Sequence, residues 1–325
     1  MKNVIKQTLI ASAAALALSV SGAANAADGS YPSKTITMIC THGAGGDTDY
    51  NARLISRLLE KELGVSVVVK NVTGANGSVA LTQYKDEKPD GYTLIATNTI
   101  AMASNEASGL SDFGYTAFEP VAIYGKQCGE NIIVKADTPY KTLDELIDAT
   151  KANPEKIKLG IAFGGSSYIA ASVIADEKKS QFALVDAGGN APNRMTTLLG
   201  GNIDATIVPY TIAKEYAESG KVRFLATLMS ERLPAAPDIP TVKECGVTNL
   251  TVDTLYGILA PKGTDAAIVK KINDAILKIV NENQEYKDEI RRYNYQDPYA
   301  LNVQDTIARL KAQRELMMGF SKYLN

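Results

Sequence analysis

Apolar positions recur along this chain in two alternating rhythms. Residues 35–40 form a β-rich run that ends at a glycine turn, and residues 49–63 follow with Leu54, Ile55, Leu58, Leu59 and Leu63 on one helical face. A second β-branched run covers 65–70, a turn at 74–78 leads into a helical stretch over 79–84, and a third strand covers 92–97. That βαβαβ order predicts a parallel, doubly wound sheet. The middle of the chain repeats the theme. A strand at 132–134 precedes a helix over 143–152, opened by Thr142 with Glu145 three residues on. Strand 158–162, helix 168–178, strand 182–185 and helix 193–199 come next, then strands at 203–208 and 222–227. A strand over 255–260 and helices over 265–281 and 303–323 close the chain. Two successive α/β units followed by a returning strand predict two lobes joined by more than one crossover. Lobe 1 is assigned to 27–127 with 250–325, and lobe 2 to 128–249. The cleft between such lobes is a common place for a small-molecule site.

The first residues bear on compartment. Lys2 and Lys6 precede an apolar, alanine-rich run over 8–20 that ends in Ala24-Asn25-Ala26. This is the pattern of a secretory signal, residues 1–26, cleaved to leave Ala27 first. The apolar run is too short to span a bilayer, which takes about 20 apolar residues. The expected location is therefore the periplasm. Removing two lysines shifts the net charge from −2 to −4, and that mild acidity gives no support for nucleic-acid binding. An apolar content of 45% is ample for folded cores. Three cysteines are present, Cys40, Cys128 and Cys245. Their spacing fits either a Cys128–Cys245 disulfide or three free thiols.

The candidate chemistry lies in glycine turns. Gly43-Ala44-Gly45-Gly46 sits between a strand and a helix, where backbone N–H groups and the positive helix end suit a carboxylate or phosphate. Gly164-Gly165-Ser166-Ser167 and Gly188-Gly189-Asn190 occupy similar places. Turns at equivalent positions in two halves either converge on one anion or are simply turns. Asp47 and Asp49 read as helix caps or ligand contacts. Arg53 and Arg194 read as partners of a ligand carboxylate or as structural ion pairs, the latter favoured for Arg53. A branched side chain at Gly45 is expected to fill the space an anion needs. The run from His42 to Gly46 also resembles an esterase oxyanion loop, but no G-x-S-x-G elbow occurs, and the single histidine lies within the loop itself. No G-x-x-x-x-G-K-[ST] is present and no C-x-x-C occurs. No cofactor and no metal are expected.

The motifs Tyr31-Pro32-Ser33-Lys34, Ala44-Gly45-Gly46, Val67-Val68-Val69-Lys70-Asn71, Gly74-Ala75-Asn76-Gly77 and Pro89-Asp90-Gly91-Tyr92-Thr93-Leu94 stand in order along the chain. So do Leu199-Gly200-Gly201-Asn202-Ile203-Asp204, Pro240-Thr241-Val242, Tyr256-Gly257 and Ala260-Pro261-Lys262-Gly263-Thr264. Together they resemble the Bug-type substrate-binding receptors of tripartite tricarboxylate transporters. The resemblance implies an α/β, two-lobed periplasmic-binding-protein fold of type II-like architecture. It also implies a small organic acid as ligand, membrane transporter subunits as partners, and no enzymatic activity. A monomer is expected. Carried across residue by residue, it points to Ala44, Gly45, Gly46, Asp49, Gly165, Ser166 and Ser167 as ligand contacts. His42, Tyr168 and Asp186 join them as departures from the family pattern near the expected cleft. Thr41-His42 stands for Pro-Phe, Tyr168-Ile169 for His-Leu, Asp186-Ala187 for Pro-Tyr, and Leu255 for Trp. Asp186 with Asp47 hints at a ligand that carries an amino or other donor group. The rival readings are a secreted enzyme using His42 and a receptor-like sensor subunit.

Overall fold

The structure, a computed structural model, describes residues 31–188 and 190–323. The expected signal segment and Gly189 lie outside the described residues. The strands are β1 (Ile36–Cys40), β2 (Val67–Asn71), β3 (Thr93–Asn98), β4 (Phe118–Lys126), β5 (Glu130–Lys135), β6 (Lys158–Ile161), β7 (Ala183–Asp186), β8 (Ala205–Pro209), β9 (Val222–Thr227) and β10 (Leu255–Pro261). The helices are α1 (Asp47–Leu63), α2 (Ser78–Tyr84), α3 (Thr99–Ala107), α4 (Leu143–Ala152), α5 (Ser166–Lys178), α6 (Ala191–Leu199), α7 (Tyr210–Glu218), α8 (Ala266–Glu282), α9 (Gln284–Asn294) and α10 (Val303–Gly319).

Two five-stranded sheets result, ordered β2-β1-β3-β10-β4 and β7-β6-β8-β5-β9, and both fall within one unit, Lys34–Asn325. In each, three strands are parallel and the fourth is antiparallel to both neighbours: β10 between β3 and β4, and β5 between β8 and β9. The sheets are therefore mixed rather than wholly parallel as the βαβαβ order suggested. The reason is connectivity. Strand β4 passes directly into β5 of the other sheet, and β9 returns through residues 228–254 to β10. The odd strand in each sheet thus arrives from the opposite half and runs against the other four. No helix among the described residues is long and apolar enough to cross a membrane.

The core follows the strand faces. Ile36, Met38, Ile39, Leu94 and Ile95 are fully buried in the first sheet, and Ile133, Val134, Ile161 and Ile207 in the second. Each such side chain contributes about 1.5–3 kcal/mol by leaving water. Helix α1 lays Leu54, Ile55, Leu58 and Leu59 inward and stops at Gly64, whose left-handed φ of 71° turns the chain while its N–H reaches Glu60 O. One apolar cluster crosses between the halves. Ile100, Ala103 and Ala107 of α3, with Met317 and Phe320 at the end of α10, pack among Ile161, Ile169 and Ile174.

Candidate functional site

The loop from Gly43 to Gly46 closes on itself through Gly46 N to Gly43 O at 3.3 Å, with Gly45 at φ +78° and Gly46 extended at φ −83°, ψ 170°. The loop from Ala162 to Gly165 repeats it residue for residue. Gly165 N meets Ala162 O at 2.9 Å, Gly164 has φ +70°, and Gly165 has φ −84°, ψ 173°. A left-handed φ is where glycine is favoured, so each loop needs its third residue to be glycine. Gly46 and Gly165 are the N-caps of α1 and α5, and neither helix start is capped by a side chain. Asn190 is the N-cap of α6, which again has no side-chain cap.

All three helix starts line one cavity of about 30 Å³ between the halves. Corresponding positions of the two loops take part: Gly43, Gly46, Asp47 and Thr48 from one, Ala162, Gly165, Ser166 and Ser167 from the other. Unpaired amides and the positive dipole ends of α1, α5 and α6 thus point at a shared space, which favours an anion there. His42, Gly43, Asn76 and Asn190 also line an outer cavity of about 440 Å³. Asn76 sits beside Gly165, and Asn190 beside Gly43; these two amides from opposite halves narrow the cleft.

Charged side chains are buried around the same space. Arg194 is held by its Nε on Ile207 O and its Nη1 on Gly188 O, each at 3.0 Å, which leaves Nη2. Burial works against its charge, and the carboxylates of Glu130, Asp47 and Asp186 favour it. Asp47 Oδ2 accepts from Tyr256 Oη at 2.8 Å and from Gln127 Nε2. Glu130, at 5% exposure, is pushed up to about 7 by burial; Asp47 adds to the rise, and Arg194 and the Ser166 hydroxyl oppose it. His42 Nδ1 lies 2.8 Å from Thr41 Oγ1, and burial lowers the imidazole below its ordinary value.

Of the residues expected from sequence, His42, Gly46, Gly165, Ser166 and Ser167 line the cavity. Ser167 Oγ accepts from Ala162 N at 2.9 Å and so braces its own loop. Ala44 lines only the outer cavity. Gly45 faces open space, with its N–H on Asp49 Oδ2 at 3.0 Å, so the position where a side chain would invade the cleft is Gly43 instead. Asp49 belongs to the third position of α1. It also takes Asn71 Nδ2 at 2.8 Å and the Arg53 guanidinium at 2.9 Å. Burial alone would raise its carboxyl, but these bonds outweigh it and lower it. Arg53 is thus a structural partner. Tyr168 packs against Phe163, ring centroids 5.1 Å apart, and Asp186 is exposed with Oδ1 on Gly188 N at 3.0 Å. Leu255 is buried at the start of β10. His42 is the one departure from the family pattern that reaches the cavity. The three cysteines are free thiols.

A larger groove of about 790 Å³ runs along the outer face of α1, past Arg53, Arg57 and Lys61. Its cations already pair with Asp49 and Glu285, and no second loop meets it. The smaller space holds the convergent chemistry.

The family profile of the tripartite tricarboxylate transporter family receptor, TctC, matches residues 51–317. This chain belongs to that receptor family. It is 30% identical over 299 residues to the UPF0065 protein in the gbd 5' region of Cupriavidus necator, covering 91% of this chain and 89% of that one. It is 30% identical to protein BugT of Bordetella pertussis over 75% of each chain. The solved periplasmic binding protein BugD superposes with a TM-score of 0.80 at 26% identity, covering 90% of this chain and 98% of BugD. The protein is thus a TctC-type solute-binding receptor of the two-lobed periplasmic-binding-protein fold, not an enzyme, and the reading of His42 as a catalytic residue is set aside.

Cavity-lining residues that the sequence did not commit to include Asn76 and Asn98 of the first half, and Gln127, Glu130, Asn190 and Arg194 from the crossover and the second half. Arg194 and Asn190 carried a signal, their nearness to the third glycine turn. Gln127 and Glu130 carried none.

Proposed function

We propose that this receptor captures a small organic acid between lobes 27–127 with 250–325 and 128–249, closes on it, and passes it to a tripartite tricarboxylate-type membrane transporter. The observation that carries this reading is the repeated loop. Two loops of matching torsion angles bring uncapped helix starts to one cavity from opposite halves, with the buried Arg194 guanidinium beside them. One carboxylate there receives backbone N–H bonds from both sides. Hydrogen bonds to a charged group are stronger than neutral ones and gain as water is excluded. Closure follows because the ligand binds the closed form better than the open one. The crossovers at 127–129 and 228–254 are the places for a hinge.

In this reading the chain is exported, cleaved after Ala26 and works as a periplasmic monomer. Native mass spectrometry of protein recovered from the periplasm tests these points together. The expected species is one chain beginning at Ala27 with one small acid bound, released unaltered. A guest without an acidic group, or a chain still carrying residues 1–26, sinks the corresponding part.

A further inference from the structure

The cavity is built for more than an anion. Its donors are the helix starts and Arg194, but it also holds acceptors that nothing satisfies. Glu130 Oε2 and Gln127 Oε1 are buried and find no hydrogen-bond partner, although both residues line the cavity. Glu130 is 5% exposed and Gln127 4%. A buried acceptor without a donor carries a desolvation penalty that a ligand can remove. Arg194 does not answer Glu130, since among the described residues no ion pair joins them. Its Nε and Nη1 are committed to backbone carbonyls. Nor does Asp47, which faces the same corner as another carboxylate and takes up Gln127 Nε2.

Symmetry sharpens the point. Asp47 holds the first position of α1 and Ser166 the first position of α5. One half thus presents negative charge where the other presents a hydroxyl. Asp47 and Glu130 are two acids beside a single buried guanidinium, so once Glu130 ionises the cavity has one more negative side chain than positive. A ligand that is only an anion leaves that excess and both orphan acceptors unanswered.

Building on the receptor reading above, we propose that the ligand is a small zwitterion. Its carboxylate sits at the helix starts, and its protonated amine donates to Glu130 and Gln127. Glu130 and Gln127 are then the residues that set specificity, by rejecting acids that lack a donor.

The test uses matched pairs on protein stripped of bound ligand: β-alanine against propionate, 4-aminobutyrate against butyrate, and L-aspartate against succinate. Each is titrated calorimetrically into wild type, Glu130→Gln and Gln127→Met. The expected result is that at least one amine-bearing member binds at least tenfold tighter than its match. Each substitution should weaken that member at least tenfold and the match less than threefold. Circular dichroism melting confirms that both variants fold; if Gln127→Met does not, Glu130→Gln alone decides. Equal or tighter binding of the acids without an amine, or an undiminished amine ligand in Glu130→Gln, overturns the proposal and leaves the receptor reading standing. Binding by none of the six overturns the acid-receptor reading, and this inference falls with it.

Discussion

Replacing Glu130 with Gln should change how the stability of the empty receptor depends on pH. Glu130 is buried, and the low-dielectric surroundings raise its carboxyl from 4.5 to about 7. The folded protein therefore holds a proton there that the unfolded chain releases between about pH 4.5 and 7. Stability from this group is present below pH 4.5 and is lost as pH rises through that window. At about 1.4 kcal/mol per pH unit, the full loss is between about 3 and 4 kcal/mol and levels off above about pH 7. Glutamine has the same shape and no proton to lose. The free energy of wild type minus that of the variant should thus fall by about 3 kcal/mol between pH 4.5 and 8. His42, a neutral imidazole whose affinity for a proton is lowered by burial, acts in the opposite sense, its contribution being lost as pH falls. It is present in both proteins and largely cancels in the difference. Urea denaturation of ligand-stripped protein at half-unit pH intervals supplies the numbers. A difference that stays flat within about 1 kcal/mol, or that rises with pH, refutes the placement of an ionisable carboxyl without an ion-pair partner in the closed cavity.

Two further outcomes follow from the same geometry. A Cβ built on Gly43 lies 2.2 Å from Asn190 Nδ2 across the cleft, and Gly43 has no left-handed φ. Gly43→Val should therefore wedge the halves apart and weaken ligand binding at least tenfold in calorimetry, with the melting temperature of the empty protein shifted by no more than about 2 °C. Gly45→Ala is its control. It meets nothing within 4 Å but sits at φ +78°, so it should cost about 1–2 kcal/mol of stability and leave affinity unchanged; the reverse pattern in the pair would contradict the assignment of the cavity. Thiol titration of denatured, unreduced protein should count three free sulfhydryls. In the native protein Cys40 and Cys128 should stay unreactive, because burial pushes both thiols up to about 12; a count of one would mean a disulfide.

Much of the fold was legible because its local signals agree with its tertiary ones. Helix α4 begins where Thr142 and Glu145 said it would, with Glu145 N on Thr142 Oγ1 at 3.1 Å, although the Glu145 carboxylate reaches Lys141 N. Helix α1 began two residues early because the cap is Gly46, which leaves Asp47 and Asp49 inside the first turn. Helix α3 gave no period to read, since all but one of its nine residues are buried, polar Thr99, Ser104 and Asn105 included, so no face is set apart as the solvent side. Strand β4 was hidden by Pro120 and Gly125, residues that argue against a strand. Both are tolerated where the β4–β10 register shifts. The glycine loops were visible as composition, and their equivalence was visible as position. What sequence could not supply was the corner made by Gln127 and Glu130. Its place depends on β5 running antiparallel beside β8 and β9, a pairing of strands more than seventy residues apart that no local pattern encodes.

The helix caps show how the molecule divides stability from function. Helices α4, α8, α9 and α10 are capped by Thr142, Asp265, Asn283 and Asn302, each accepting from a backbone N–H of the first turn. Helices α1, α5, α6 and α7 have no side-chain cap, and their N-cap residues Gly46, Gly165, Asn190 and Pro209 all line the cavity. A side-chain cap in place of glycine stabilises a helix by only a few tenths of a kcal/mol, so leaving several off costs the empty receptor about 1 kcal/mol. Helix α3 supports the distinction from the other side: Asn98, its cap, also lines the cavity, but accepts from Ala101 N and so spends its carbonyl on its own helix. Helix α2, with Gly77 as its N-cap, is also uncapped but lies outside this cavity; at the four starts that line it, the open amides are ones a guest can cap, and stability withheld from the empty protein there becomes binding free energy when the guest arrives. A serine or aspartate cap installed at Gly46 would recover the local helix energy, but it would put a side chain of the protein where the guest's carboxylate belongs.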